Sequence, residues 1–365
     1  MFKKKIIFFL PNYSYGGAGK SILNICKNIN KKKYEIYVIS LNKNYYKKNL
    51  SKFCKEIIEI KSSSTILSLA KIKKYLEKFN KDNSILISNI NYANALFVIY
   101  FKILNNFKLI LIERTPLQEL FIYFSFKDFI KKFIIKIIAK YFYKRADHII
   151  ANSKKTAIDY SNFSKIKCSY IYPLTIDKMF NTSKKKLDKN RLINILTISR
   201  LSREKNLIEL LKAFKILKLN KVFLIILGDG SKKNEILEYI KKYNINSKVI
   251  KYSDKKKIKL LKNCKLYICS SFFEGFPNAV VEALNYNMPV ISSRNHGGIE
   301  EIILNGKGGE LYDSGNEFQL SGKINKILKN YNQHVKKTLL AKKALNRFTK
   351  NNIKKYEYIF DNILV

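Results

Sequence analysis

Two carboxylates stand with seven residues between them in EGFPNAVVEAL: Glu274 in a turn and Glu282 in the segment that follows. Gly275 and Pro277 read as the turn, with Phe276 between them and Asn278 as the N-cap of a helix, AVVEALNY. One acid can then face the sugar of a ligand while the other accepts hydrogen bonds from ribose hydroxyls. The unpaired N–H groups of the helix start face phosphates between them. Upstream, ISRLSREKN (198–206) carries Arg200 and Lys205 just past an apolar run. Strand ends hold ligands in parallel sheets, and two cations there suit phosphate. Each feature also has a plainer reading: a surface cation pair, a helix-surface acid, a loop acid.

A second anion-binding pattern opens the chain. SYGGAGKS (14–21) follows the apolar run KIIFFL and nearly matches a Walker A loop, with Gly19, Lys20 and Ser21 in place. Ser14 stands where the first glycine belongs, and that glycine lets backbone N–H groups wrap a phosphate without a Cβ in the way. The setting of strand, small-residue turn and helix start still suits an anion. KVFLIILGD imitates a Walker B strand ending at Asp229, but it falls in a second domain, which argues against an ATP motor.

The elements that must position these groups alternate along the chain. Apolar runs at 4–10, 34–41, 84–88, 107–112, 148–151 and 168–172 read as buried strands, as do those at 193–199, 222–227, 248–251, 265–269, 289–292 and 309–312. Helix-period segments fall between most of them, at 18–29, 66–79, 206–218, 232–243 and 278–286. Continuous apolar strands joined by helices mean parallel α/β sheets. There are too many strands for one ordinary sheet. A polar, lysine-rich stretch at 181–191 divides the series. The expected fold is α/β, with two Rossmann-like domains facing across a cleft.

Composition narrows the partners. Lys and Arg number 71 against 27 Asp and Glu, a net charge of +44. That favours nucleic acid, an anionic membrane face or anionic small molecules. A composition crowded with Lys, Asn, Ile, Tyr and Phe and lacking Trp also fits an AT-rich genome. The five cysteines form no CxxC pair and there are three histidines, so no zinc framework is visible and reduced core thiols are expected. The apolar run near the start is too short for a signal peptide and is interrupted by Pro11. No apolar stretch is long enough to span a bilayer. Residues 126–145 read as a basic amphipathic helix: Lys132, Lys136, Lys140 and Lys144 recur on one flank beside Phe126, Phe129, Ile130, Phe133, Ile134, Ile137 and Tyr141. This suits an anionic membrane surface or a sheet-covering helix with a solvated lysine face.

Glu274 and Glu282, framed by EGFPNAVVEAL, resemble the signature of retaining glycosyltransferases of family 4, which have the GT-B fold. MPVISSRNHGGIEEII, ISRLSREKN, ILGDGSKKNEI and ADHIIANSKKT resemble further stretches of that family, and the likeness is densest from 194 to 310. It implies an N-terminal acceptor-side domain over 1–175, with a helix at 350–365 packing back on it. A nucleotide-sugar domain follows over 176–349. It implies that Arg200 and Lys205 stabilise the leaving diphosphate, with Glu274 a substrate-facing residue. Gly16, Gly17, Gly275, Phe276, Pro277, Asn278 and Glu282 then bind the donor. Where many relatives have a histidine, LILIERTP places Glu113 and Arg114, and either can take its role. The resemblance implies a nucleotide diphosphate sugar, with UDP as the nucleotide, as donor substrate, no cofactor and no metal. The acceptor is a lipid-linked or cell-surface glycan, met at the inner face of a bacterial plasma membrane, with no nucleic acid partner. A sugar-nucleotide epimerase of the same fold and a non-catalytic polyanion binder remain alternatives.

Overall fold

Short Ile-, Leu- and Phe-rich runs become parallel strands covered on both faces. The computed structural model describes residues 3–11, 16–180, 185–188, 190–217, 219, 221–294 and 296–364. The chain divides into two units, 1–175 with 348–365, and 176–347.

The first unit holds β1 (Lys4–Leu10), β2 (Tyr34–Leu41), β3 (Glu56–Ile60), β4 (Ser84–Asn89), β5 (Leu109–Glu113), β6 (His148–Ala151) and β7 (Cys168–Tyr170). They form one sheet in the order β3-β2-β1-β4-β5-β6-β7, every pair parallel. Strand alternation sends Ile7, Phe9, Leu109 and Leu111 to one core, with Phe97, Tyr143 and Tyr160. Ile6, Phe8, Ile110 and Ile112 go to the other, with Ile22, Ile25, Tyr356 and Phe360. Burial on both faces explains why these strands read as unbroken apolar runs. β3 was not expected: its sequence, EIIEI, is short and carries two acids, as an edge strand can.

Segment 348–365 belongs to this unit. On its helix Ile353–Ile363, Tyr356 and Phe360 are buried in the core that holds Ile6, Phe8 and Ile110. The Tyr34 hydroxyl donates to Asp361 Oδ1 at 2.7 Å, and Lys4 pairs with the same carboxylate at 3.3 Å.

The helix Phe126–Tyr141 corrects the expected lysine flank. Its buried residues are Lys132, Ile135 and Ala139. Lys132 Nζ donates to Ile122 O at 2.7 Å and pairs with Asp128, one turn earlier, at 3.0 Å. Lys132 is therefore an internal brace. The aromatic face instead points to solvent: Phe126 is 77% exposed, Ile134 51% and Phe133 48%. Lys127, Lys131, Lys140 and Lys144 are exposed around it.

The second unit holds β8 (Ile193–Ile198), β9 (Val222–Leu227), β10 (Ser247–Ile250), β11 (Leu266–Cys269), β12 (Val290–Ser293) and β13 (Glu310–Tyr312). The sheet runs β10-β9-β8-β11-β12-β13 and is wholly parallel. Its core includes Ile195, Leu210, Phe214, Leu224, Ile226 and Ile268. The winding reverses between β8 and β11, and in such sheets ligands bind at the carboxyl ends of the strands beside that reversal. All five cysteines are free thiols, and all but Cys54 are buried.

Candidate active site

The loop after β8 is fixed by its neighbour after β9. Leu201 N donates to Asp229 O at 2.9 Å, and Lys232 N returns a bond to Leu201 O at 2.8 Å. A Cβ on Gly228 would sit 1.9 Å from Ser199 O, so only glycine permits this approach. The loop after β11 is held in the same way. Ser293 Oγ donates to Ser271 O at 2.6 Å, and Gly298 N to Gly275 O at 2.8 Å. A Cβ on Gly297 would lie 1.8 Å from Glu274 O.

On this frame the β8 and β11 loops meet. Lys205 Nζ lies 2.6 Å from Glu274 Oε1, their side chains 12% and 23% exposed. Ser271 Oγ donates to the same oxygen at 3.1 Å. Backbone bonds tie the loops beneath the pair: Phe272 N donates to Glu204 O at 2.9 Å, and Ser270 Oγ to Lys205 O at 2.9 Å. Arg200 is more open and pairs through Nη2 with Glu204 Oε1 at 3.0 Å. Burial alone would push the Glu204 carboxyl up. The Ser202 hydroxyl, Lys205 and Arg200 outweigh it and hold that carboxyl below its ordinary range. Glu204 was passed over in the sequence although it lies inside ISRLSREKN.

The helix after this turn spans Asn278–Asn285. Its N-cap residue is Pro277, with no side-chain cap, so Asn278 is the first helical residue and the expected Asn278 cap is corrected. Pro277 lacks an N–H and suits a helix start. The helix's first turn holds no acid, and its leading N–H groups have no intrahelical acceptors. Gly275, Phe276 and Pro277 are buried beneath. Glu282 pairs with Lys257 at 2.9 Å, with side chains 15% and 10% exposed. Lys257 comes from the helix Asp254–Asn263, and nothing distinguished it among the many lysines.

In the first unit the helix Gly17–Asn28 starts with Gly16 as its cap residue, without a side-chain cap or an acid in its first turn. Ser14 and the rest of 12–15 lie outside the described residues, as do 181–184 and 189 of the expected linker. Glu113 and Arg114 part company. Glu113 ends β5 on the face of Leu109 and Leu111 and is 0% exposed. Its Oε1 accepts from Asn94 Nδ2 and from the Tyr143 hydroxyl, each at 2.7 Å. Burial pushes the carboxyl up to about 7 against the opposing pull of those bonds. A side chain so enclosed has no surface to offer a substrate. Arg114 follows on the opposite side and is half-buried. His148 shares a 2.9 Å contact with Ser169 Oγ within the sheet, and His296 is exposed in the second unit.

Known proteins resemble this chain in architecture and, in part, in sequence. Residues 178–355 match the family glycosyl transferases group 1. An uncharacterized glycosyltransferase of Methanocaldococcus jannaschii is 35% identical over 64% of this chain, which spans 60% of that protein. The N-acetylgalactosamine-N,N'-diacetylbacillosaminyl-diphospho-undecaprenol 4-alpha-N-acetylgalactosaminyltransferase of Campylobacter jejuni is 27% identical, over 99% of this chain and 97% of its own. Anabaena HepE, solved in complex with UDP-glucose, superposes with a TM-score of 0.77 at 19% identity, covering 97% of this chain and 98% of its own.

Proposed function

That this chain is a glycosyltransferase of the GT-B fold, with a group 1 match over 178–355, is the premise from which we propose its reaction. It moves a hexose or N-acetylhexosamine from a UDP-sugar to a lipid-linked or cell-surface glycan, with retained anomeric configuration. The observation that carries this reading is the Lys205–Glu274 pair beside Arg200 at the β8/β11 reversal.

In this reading the donor diphosphate lies against Arg200, Lys205 and the N–H groups that open the Asn278–Asn285 helix. Charge grows on the leaving diphosphate as the glycosidic bond breaks, and fixed cations and dipoles in a partly dry site stabilise that charge. Lys205 needs no new partner shell, since it exchanges Glu274 for phosphate oxygens. Glu274, released, accepts from hydroxyls of the transferred sugar, and Glu282 from the ribose. The acceptor hydroxyl attacks on the face the diphosphate leaves, and the departing phosphate oxygens take its proton. No carboxylate is assigned beneath the anomeric carbon, as double displacement requires. Protein cations do the work of a metal, so activity without added metal is expected.

The lipid-linked acceptor is favoured by the Campylobacter relative, whose name describes a diphospho-undecaprenol substrate. It is also favoured by the exposed aromatic face and lysines of the Phe126–Tyr141 helix, which suit an anionic bilayer surface. No helix among the described residues is long and apolar enough to cross a membrane, so the contact proposed is peripheral, at the inner face of the plasma membrane.

The test is a panel of nucleotide diphosphate sugars, each assayed for release of nucleotide diphosphate with and without a polyprenyl-diphosphate-linked saccharide. The expected result is acceptor-dependent UDP release with an α-linked product from an α-linked donor. Failure of every donor to release a nucleotide diphosphate, or an inverted product, refutes the reading.

A further inference from the structure

Arg114 carries a charge that the first unit does not answer. Its Nε and Nη2 donate to a single neutral acceptor, Asn89 Oδ1, at 3.0 and 2.8 Å. Asn89 is fully buried at the end of β4 and is anchored in turn, its Nδ2 donating to Phe9 O on β1 at 3.1 Å. The guanidinium is thus steadied by an oxygen that brings no negative charge, and Nη1 is left over. Among the described residues no Asp or Glu pairs with it. Its own neighbour Glu113 is withheld, because alternation along β5 turns that carboxyl to the far face. Burial works against the charge and lowers the guanidinium's pKa.

The other group that acts on its charge is the phenol of Tyr356, which is also neutral when protonated, and a half-buried cation held by neutral groups is costly unless a counter-charge arrives from elsewhere. The place is suited to one. The sheet order reverses between β1 and β4, the strands that Asn89 joins. At the carboxyl end of β1 starts the helix Gly17–Asn28, with no side-chain cap and no acid in its first turn. Between Asn89 and Asn91, Ile90 adopts φ 81°, a conformation that β-branched residues avoid and that marks functional turns.

We propose that Arg114, steadied by Asn89, binds a phosphoryl oxyanion of the substrate at the β1/β4 crevice of the first unit. The planar fork of arginine matches phosphate oxygens in pairs, which a histidine at this place cannot do. The oxyanion it suits is the diphosphate of a lipid-linked acceptor. This assignment rests on the transfer reading above, but its test does not need turnover.

Isothermal titration measures UDP, uridine, and inorganic pyrophosphate in the presence of saturating UDP, against the parent, Arg114→Gln and Arg114→Lys. Lys354→Gln, an exposed site, removes the same unit of charge and controls for the strongly basic surface. Arg114→Gln weakens pyrophosphate binding to the UDP-bound protein at least ~10-fold, as loss of one charge-assisted contact implies. UDP and uridine bind the same variant as they bind the parent. Arg114→Lys falls between parent and Gln for pyrophosphate, and Lys354→Gln matches the parent. Equal pyrophosphate binding by a folded Arg114→Gln, a loss confined to UDP, or an equal loss in Lys354→Gln overturns the proposal. A parent that binds pyrophosphate but not UDP refutes the donor reading and leaves the Arg114 site standing.

Discussion

Replacing Glu113 with Gln separates a buried structural acid from a catalytic one. The carboxyl is 0% exposed and its folded pKa is pushed up to about 7 from an ordinary 4.5. Because the folded value is the higher one, the protonated form is favoured by folding. Its contribution to stability is fully present below about pH 4.5 and is lost as pH rises to about 7. A shift of that size corresponds to ~3 kcal/mol. Gln keeps the oxygen that Asn94 and Tyr143 bond and puts an amide where Oε2 faces the Tyr160 hydroxyl, which can accept from it. The variant is therefore expected to match the parent near pH 4 and to exceed it by up to ~3 kcal/mol at pH 8. Urea unfolding followed by far-UV circular dichroism at both pH values reads this difference. Turnover at pH 7 should stay within about an order of magnitude of the parent, since a lost general acid or base costs ~100-fold or more. A folded variant with no gain at pH 8 refutes the suppressed charge. A folded variant that loses turnover ~100-fold shows that Glu113 meets the substrate after all.

Arg200→Ala and Lys205→Ala should each cost ~2–4 kcal/mol in transition-state stabilisation, read as kcat/KM with the preferred donor; near-parental turnover in both sinks the phosphate assignment. Activity should persist in EDTA, and a loss restored by Mn²⁺ or Mg²⁺ would reassign charge stabilisation to a metal. Lys257→Met should erase the parent's preference for UDP over 2′-deoxy-UDP by removing the cation that orients Glu282, whereas a variant that keeps that preference acquits Lys257 of positioning the acid. Changing Lys127, Lys131, Lys140 and Lys144 to Gln should reduce co-sedimentation with anionic vesicles at low salt, and Phe126→Ser with Phe133→Ser should reduce it at every salt concentration. Sedimentation equal to the parent in both variants removes the Phe126–Tyr141 helix from the membrane.

Apolar periodicity and glycine turns were enough to locate most of the strands, because residues buried on both sheet faces leave continuous runs. β3 escaped because two glutamates interrupt EIIEI at a sheet edge, where one side needs no hydrophobic cover. Burial of polar groups was the harder matter. Lys132 and Glu113 look like surface residues in sequence, yet one braces Ile122 O and the other sits against Tyr143. Both are decided by contacts with elements about ten and thirty positions away, which no local pattern records. The Glu274 region was legible since its turn, helix and acids are adjacent in sequence. Lys257 was not, because a lysine-rich chain hides one lysine with a partner among many without.

The first unit is sewn shut by the last segment of the chain. Tyr34, in β2, cannot bond Asp361, nor can the core of Ile6, Phe8 and Ile110 receive Tyr356 and Phe360, until residues 348–365 have been made. The second unit is continuous in sequence and suffers no such delay. Residues 176–347 are all made before residues 348–365, so the first unit, although begun earlier, is the later of the two to have its complete core in the chain. A chain clipped before residue 348 would keep every residue of the second unit and leave the first with an open apolar face.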